Sequence, residues 1–111
     1  MEKDELAYIM LIRDSFREIE DYMHAMSFEE FSKEEKTQSA VLMQLHVVGE
    51  LAKKVPEKIK KELNLPWKDM AGFRDMISHE YFNLDIKLIW ETVTESVPNA
   101  YQEIKKYLDR I

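Results

Sequence analysis

The chain has 111 residues, of which 22 are acidic and 16 basic, and its formal net charge is −6. Two glycines are too few for the three-glycine dinucleotide fingerprint, and the lack of cysteine excludes disulfides, thiolate metal sites and a cysteine nucleophile. No apolar run approaches the length that spans a bilayer, and the acidic start does not resemble a secretion signal. These features predict a single domain over residues 1–111, soluble, cytoplasmic and without a membrane partner.

Apolar residues spaced by three or four positions predict a first helix over about residues 4–26. The apolar stripe fits an antiparallel bundle and a dimer seam equally well. It consists of Leu6, Ile9, Ile12, Phe16, Ile19, Met23 and Met26.

A second helix is predicted over about residues 34–54. Ser32 with Glu35 three residues later has the pattern of a capping box at its start. Apolar residues surround much of this helix near its middle, so we expect it to be central and buried on more than one side. Gly49 lies within it and would permit another helix to approach closely, because glycine has no side chain.

Two prolines divide the next part of the chain. Pro56 precedes a short predicted helix over 57–63, and Pro66 precedes another that we expect to run from Trp67 to about Ser78.

The last part of the chain is also predicted to be helical. Asn83 or Asp85 is the expected N-cap of the next helix, Pro98 interrupts or kinks the pattern, and residues 99–108 complete it. Because no segment alternates like a strand, the sequence predicts an all-α antiparallel bundle of four to five helices.

Charge is distributed unevenly along the chain. Residues 1–30 hold nine acidic and three basic side chains, whereas residues 53–69 hold six lysines against three acidic residues. The acidic balance argues weakly against non-specific nucleic-acid binding. The lysines are explained either as ordinary solvated residues or as a basic rim, in which case nucleic-acid binding would be local rather than spread over the surface.

Histidine is the residue type in this chain that is best suited to acid–base catalysis or metal binding. His24 is expected near a helix end, and His46 lies in an apolar stretch where a hydrogen-bonded core histidine is the simpler interpretation. No two histidines stand three or four residues apart, so the sequence predicts no metal and no cofactor.

His79 differs because Arg74 precedes it and Tyr81 follows it. Imidazole transfers protons near neutral pH, and guanidinium presents a fixed positive fork to phosphate oxygens. On a continuous helix Arg74 and His79 would point about 140° apart. They converge only if the helix unwinds after Ser78 or if a second copy of the site faces the first. From residue types and spacing alone, a structural role for all three is the favoured interpretation.

Arg74, His79 and Tyr81 match the Arg-x4-His-x-Tyr signature of the HEPN superfamily, and the chain resembles in particular the HepT-like toxins of MNT–HepT toxin–antitoxin systems. The similarity covers essentially the whole chain. It includes the Gly-Glu segment within residues 47–52, Trp67 before the motif helix, Asp75 after the arginine, and Phe82, Asp85 and Trp90 after the tyrosine.

The resemblance implies a homodimer in which the motifs of both protomers line one cleft. It implies metal-independent endoribonuclease cleavage that leaves a 2′,3′-cyclic phosphate. His79 would be the general acid or base, Arg74 would stabilise charge on the phosphate, and Tyr81 would position the substrate. Asp75 and Glu50 would be supporting residues.

The resemblance also implies a partner, an MNT-type nucleotidyltransferase antitoxin that in some systems transfers AMP to the motif tyrosine, here Tyr81. A bulky negative group at that position would repel RNA. Two alternatives remain open. One is a non-catalytic HEPN module that binds a nucleotide or assists a nucleotidyltransferase, and the other is a helical dimer whose first-helix stripe serves only for assembly.

Overall fold

The structure is a computed structural model that describes the backbone of residues 3–111 and side chains from residue 4 onward. These residues form helices and no strand, which confirms the all-α prediction. The α-helices are α1 (Lys3–Met23), α2 (Phe28–Lys33), α3 (Glu35–Lys54), α4 (Glu57–Glu62), α5 (Trp67–Glu80), α6 (Ile86–Glu91) and α7 (Val97–Asp109). A 3₁₀ turn, Tyr81–Asn83, follows α5, and a π-helical segment, Thr92–Ser96, joins α6 to α7.

The central element of the bundle is α3. It packs extensively against α1 on one side and against α5 on the other, while α7 packs on α1 and the short α2 contacts α3 and α6. The apolar stripe of α1 is confirmed as core, since Ile9, Ile12, Phe16 and Ile19 are all buried. The described chain measures 44 × 30 × 18 Å. α5 keeps an open side, because its extensive contact is with α3 and because Gly72, His79 and Glu80 are exposed.

The predicted capping box at the start of α3 is wrong. Ser27 and Glu30 form the capping box instead, and they begin α2. Ser32 lies within α2, where its hydroxyl donates to the carbonyl of Glu29 at 2.8 Å. Two Ser-x-x-Glu patterns, residues 27–30 and 32–35, follow one another in this stretch. A serine inside a helix turns its hydroxyl to its own backbone rather than capping the next helix.

Two helix ends differ from their predicted positions. α1 ends at Met23, three residues early, because Ala25 has a φ of 58° that no right-handed helix accommodates. α5 continues to Glu80, two residues beyond its predicted end. Asp85 is confirmed as the N-cap of α6, where its carboxylate accepts from the backbone N–H groups of Lys87 and Leu88.

Pro98 does not break the C-terminal helix. It lacks the N–H that would donate to the carbonyl of Thr94, so an α-helical bond cannot form there. The π-helical segment changes the hydrogen-bond pattern before the proline, so that the Val97 N–H donates to the carbonyl of Thr92, five residues back. α6 and α7 therefore continue one another, and the long helical rods of the described chain are α1, α3, α5 and this joined pair.

Gly49 is the point where α3 and α5 approach most tightly. A Cβ built on Gly49 would lie 2.2 Å from the Cβ of Arg74 and 2.9 Å from the carbonyl oxygen of Met70. Neither atom is the free end of a side chain, so neither can move without moving α5. The expected close approach at Gly49 is confirmed, and the helix that approaches is the one that carries the motif.

We expect Gly49→Ala to lower the free energy of unfolding by about 1–3 kcal/mol, because overpacking outweighs the gain in helix propensity. Gly72→Ala is the matched control. Gly72 lies on α5, and a Cβ added there would meet no neighbouring residue of the described chain within 4 Å. This substitution should therefore raise the free energy of unfolding by about 0.5–1 kcal/mol. Urea unfolding of both variants checks this. Equal shifts in the two variants would contradict the tight contact.

Candidate active site

The three motif residues lie on the C-terminal half of α5 and just beyond it. Arg74 is directed toward α3, His79 is exposed in the last turn of α5, and Tyr81 opens the 3₁₀ turn. Because α5 is helical through Glu80, the alternative in which the helix unwinds after Ser78 is wrong, and Arg74 and His79 stay about 140° apart within one chain. Convergence by means of a second copy stays a prediction.

Arg74 is held by two carboxylates. Its Nε forms an ion pair with Oε1 of Glu50 on α3, and its Nη1 donates to Oδ1 of Asp75 at 3.2 Å. The Nε atom is buried, and it makes no well-directed hydrogen bond to any residue that the structure describes. The Glu50 contact is therefore one of charge. With 28% of the side chain exposed, the guanidinium is oriented by the protein but accessible from outside.

Asp75 links Arg74 to a lysine. Its Oδ1 atom accepts from Lys53 Nζ at 2.9 Å as well as from Arg74. The hydrogen bond from Lys53, followed by the one from Arg74, holds the pKa of Asp75 below its usual range, so the carboxylate stays ionised. Glu50, Lys53, Arg74 and Asp75 form a charge cluster with two charges of each sign.

Sequence reasoning missed Lys53 as a site residue and assigned Glu50 only a supporting role. Both belong to a polar stripe on α3, at positions 46, 50 and 53, which recurs every three or four residues. The structure pairs His46 with Ser78, Glu50 with Arg74 and Lys53 with Asp75, as expected for two antiparallel helices. This spacing of polar residues within an otherwise apolar helix is the signal that could have located the site.

His46 is half-buried at the edge of the α3–α5 contact rather than enclosed in the core. Its Nε2 lies 3.3 Å from Oγ of Ser78. The interpretation of a hydrogen-bonded histidine is confirmed, and the residue lies on the same side of α3 as the charge cluster.

The predicted basic rim is only partly assembled. Lys53 belongs to the charge cluster, and Lys60 lies over the ring of Trp67 at 5.8 Å from its centroid. The other four lysines of 53–69 are exposed. Trp67 is also anchored by a hydrogen bond from its indole N–H to the carbonyl of Leu63, which sets where α5 begins.

The described residues contain neither a metal-binding cluster nor a membrane-spanning helix. Within residues 3–111, no group of three or more histidine, aspartate or glutamate residues is arranged to hold a metal ion. Over the same residues, no helix has both the length and the apolar character needed to cross a membrane.

Arg74 and His79 together present the groups that phosphodiester chemistry requires: an oriented cation with donors to spare and an accessible imidazole. An arginine has five N–H donors, and the two carboxylates engage only Nε and Nη1. The remaining donors are available to phosphate oxygens.

Comparison with known proteins supports the same interpretation. Residues 12–107 match the family model described as "Ribonuclease HepT-like". "Putative RNase MJ0127" of Methanocaldococcus jannaschii is 40% identical over 98% of this chain and 91% of its own length. "Probable ribonuclease HepT" of Thermococcus cleftensis is 33% identical over 96% of this chain and 97% of its own.

A third relative, "Putative RNase TTE0752" of Caldanaerobacter subterraneus subsp. tengcongensis, is 35% identical over 77% of each chain. No solved structure matches the chain significantly. The family model covers most of the sequence, including the whole Arg-x4-His-x-Tyr motif on α5. The chain therefore belongs to the HepT-like family of the HEPN superfamily.

Proposed function

We propose that this protein is an endoribonuclease that cuts RNA without a metal ion, and that it acts as the toxin of a toxin–antitoxin pair. The observation that carries the proposal is the arrangement on α5. Arg74 is fixed by Glu50 and Asp75, while His79 is exposed about 1.4 turns further along the helix. The names of the relatives support RNA as the substrate.

The reaction follows from what these side chains can do. His79 removes the proton from a ribose 2′-hydroxyl, and the oxygen attacks the adjacent phosphorus. The bond from phosphorus to the 5′-oxygen breaks, and that oxygen takes up a proton from an imidazolium. The products are a 2′,3′-cyclic phosphate and a 5′-hydroxyl. Arg74 stabilises the negative charge that develops on the phosphate oxygens, and Tyr81 positions the nucleotide.

The complete site requires two chains. Within one protomer, Arg74 and His79 diverge around a straight helix and cannot both reach the same phosphate. In a two-fold dimer, Arg74 of one protomer faces His79 of its partner, and the symmetry generates the second half of the cleft. The open side of α5 is the surface on which such a dimer would form.

The proposed partner is a nucleotidyltransferase antitoxin that modifies Tyr81. The tyrosine side chain is 48% exposed, so its hydroxyl is accessible to an enzyme. Attack of this hydroxyl on the α-phosphorus of ATP would release pyrophosphate and a proton, and would leave AMP on the tyrosine. The added negative charge lies beside His79 and would keep RNA out of the cleft.

We expect the purified protein to cleave RNA in EDTA, and Arg74→Ala and His79→Ala each to lower the rate by about 10²-fold or more. Gel analysis of labelled RNA, with end-group analysis for the cyclic phosphate, measures this. Arg17→Ala and His24→Ala are matched controls because both residues are exposed on or just after α1, and they should cleave like the parent.

The alternative function, a non-catalytic nucleotide-binding module, predicts a different result. The parent would bind RNA or nucleotide without cutting it, and the four variants would not differ in cleavage. Cleavage that disappears in EDTA would contradict the metal-independent mechanism.

Mixed dimers test whether the two protomers share a site. Arg74→Ala and His79→Ala protomers, each inactive alone, should recover about a quarter of parental activity when co-expressed. About half of randomly paired dimers are mixed, and each of these keeps one intact site of two. Activity that stays at the level of the single variants would show that each chain uses its own arginine and histidine.

Modification of Tyr81 can be tested separately. Co-expression with an MNT-type nucleotidyltransferase should add the mass of one AMP group per chain and should abolish cleavage. Tyr81→Phe should acquire no added mass under the same conditions, since it lacks the accepting hydroxyl. Modification of the Tyr81→Phe variant to the parental extent would contradict Tyr81 as the site.

A further inference from the structure

A groove of about 420 Å³ opens between α3 and α5, directly beside the motif. Its volume lies in the range of small-molecule sites, about 300–1,000 Å³. We call it the base groove. It is lined by Ser39, Leu42, Met43 and His46 of α3, by Ile77 and Ser78 of α5, and by Tyr81.

The lining of the base groove suits an uncharged, flat ligand with a polar edge. Leu42 and Ile77 are buried core residues that form an apolar surface. Among the residues that the structure describes, no aspartate, glutamate, lysine or arginine lines the groove, so it is a poor place for a phosphate. The phosphate-binding group is instead Arg74, in the charge cluster further along the same two helices.

Polar atoms are fixed on one side of the groove. His46 Nε2 and Ser78 Oγ lie 3.3 Å apart, so each holds the other in place. A ring nitrogen and a hydroxyl can each donate or accept a hydrogen bond. Such a pair can recognise the donors and acceptors along the edge of a nucleobase.

Exposed apolar and aromatic side chains stand at the mouth of the groove. Met43 is 62% exposed and Phe82, next to Tyr81, is 94% exposed. The Tyr81 and Phe82 rings meet edge to face at 5.5 Å. Aromatic faces held in this way are a common means of stacking the unpaired bases of single-stranded RNA.

We propose that the base groove holds the base of an RNA nucleotide next to the bond that is cut, and that His46 and Ser78 recognise the edge of that base. The inference rests on the proposed function for its ligand, RNA. Tyr81 connects the two sites because it belongs both to the motif and to the groove lining. His46 is thereby a specificity residue, separate from the groups that perform the cleavage.

Binding tests this without relying on cleavage. The four nucleoside 5′-monophosphates are titrated into the parent, His46→Ala and Ser78→Ala, with amide NMR shifts and Kd as readouts. We expect one base to bind best, with shifts in α3 and α5 around the groove, and each variant to weaken that nucleotide by about 10-fold. His24→Ala, the matched histidine control, should bind like the parent. Equal Kd values for all four bases, or for parent and groove variants, would overturn the proposal.

Cleavage of short RNAs that differ only in the base beside the cut gives an independent readout. The parent should prefer one base, and His46→Ala should reduce the ratio of kcat/KM values between bases about 10-fold. If the parent binds nucleotides with a base preference but cuts no RNA, the proposed ribonuclease function is wrong and the base-binding role of the groove is supported. If His46→Ala cleaves RNA with an unchanged base preference, the base-binding role of the groove is wrong and the ribonuclease function is supported.

A second copy of the chain is the competing occupant of the groove. Met43→Lys places a charge at its exposed edge, and sedimentation of this variant reports the oligomeric state. If Met43→Lys separates dimers into monomers, the groove is an interface between copies and the base-binding proposal is wrong. A variant that keeps the parental sedimentation and binds the preferred nucleotide more weakly supports it.

Discussion

The contact between Gly49 and Arg74 is the constraint on which the site depends. α5 has extensive contact with only one other helix, α3, so its position and rotation are set by that single contact. Because Gly49 has no side chain, the stem of Arg74 lies directly against the backbone of α3. This close approach brings the guanidinium within reach of Glu50, the next residue of α3. A larger residue at position 49 would move the whole motif helix away from its support.

The same contact explains why the charges of the site are arranged as they are. Two antiparallel helices that pack closely bring their polar stripes into register, and each pair across the contact is complementary. Glu50 meets Arg74, Lys53 meets Asp75, and His46 meets Ser78. The charge cluster is neutral as a whole, so it does not attract RNA by net charge. What it offers is an oriented arginine, which suits the proposed binding of RNA in a cleft, rather than over a broad surface, by a protein of net charge −6.

The helices and their order were predictable because the apolar period is strong and the prolines mark the boundaries. The α1 stripe, the central α3 and the Asp85 cap all appear as expected. The predictions were wrong where two local hydrogen-bonding arrangements compete for the same stretch of chain. Ser27 rather than Ser32 caps a helix, since two successive Ser-x-x-Glu patterns offer the same capping chemistry. Pro98 was expected to interrupt or kink a helix. The helix continues instead, because the π-helical segment before Pro98 rearranges the backbone hydrogen bonds.

The sequence by itself determined that this is an all-helical chain with an Arg-x4-His-x-Tyr motif, because periodicity and motif spacing are properties of neighbouring residues. It also marked Gly49 as a place of close approach, since an unexplained glycine inside a helix is costly. The tertiary structure alone decided which helix approaches it, and hence that Glu50, Lys53 and His46 join the motif. Each lies 22 to 32 residues along the chain from the α5 residue that it meets. Only the rotation of one packed helix against another brings such residues together.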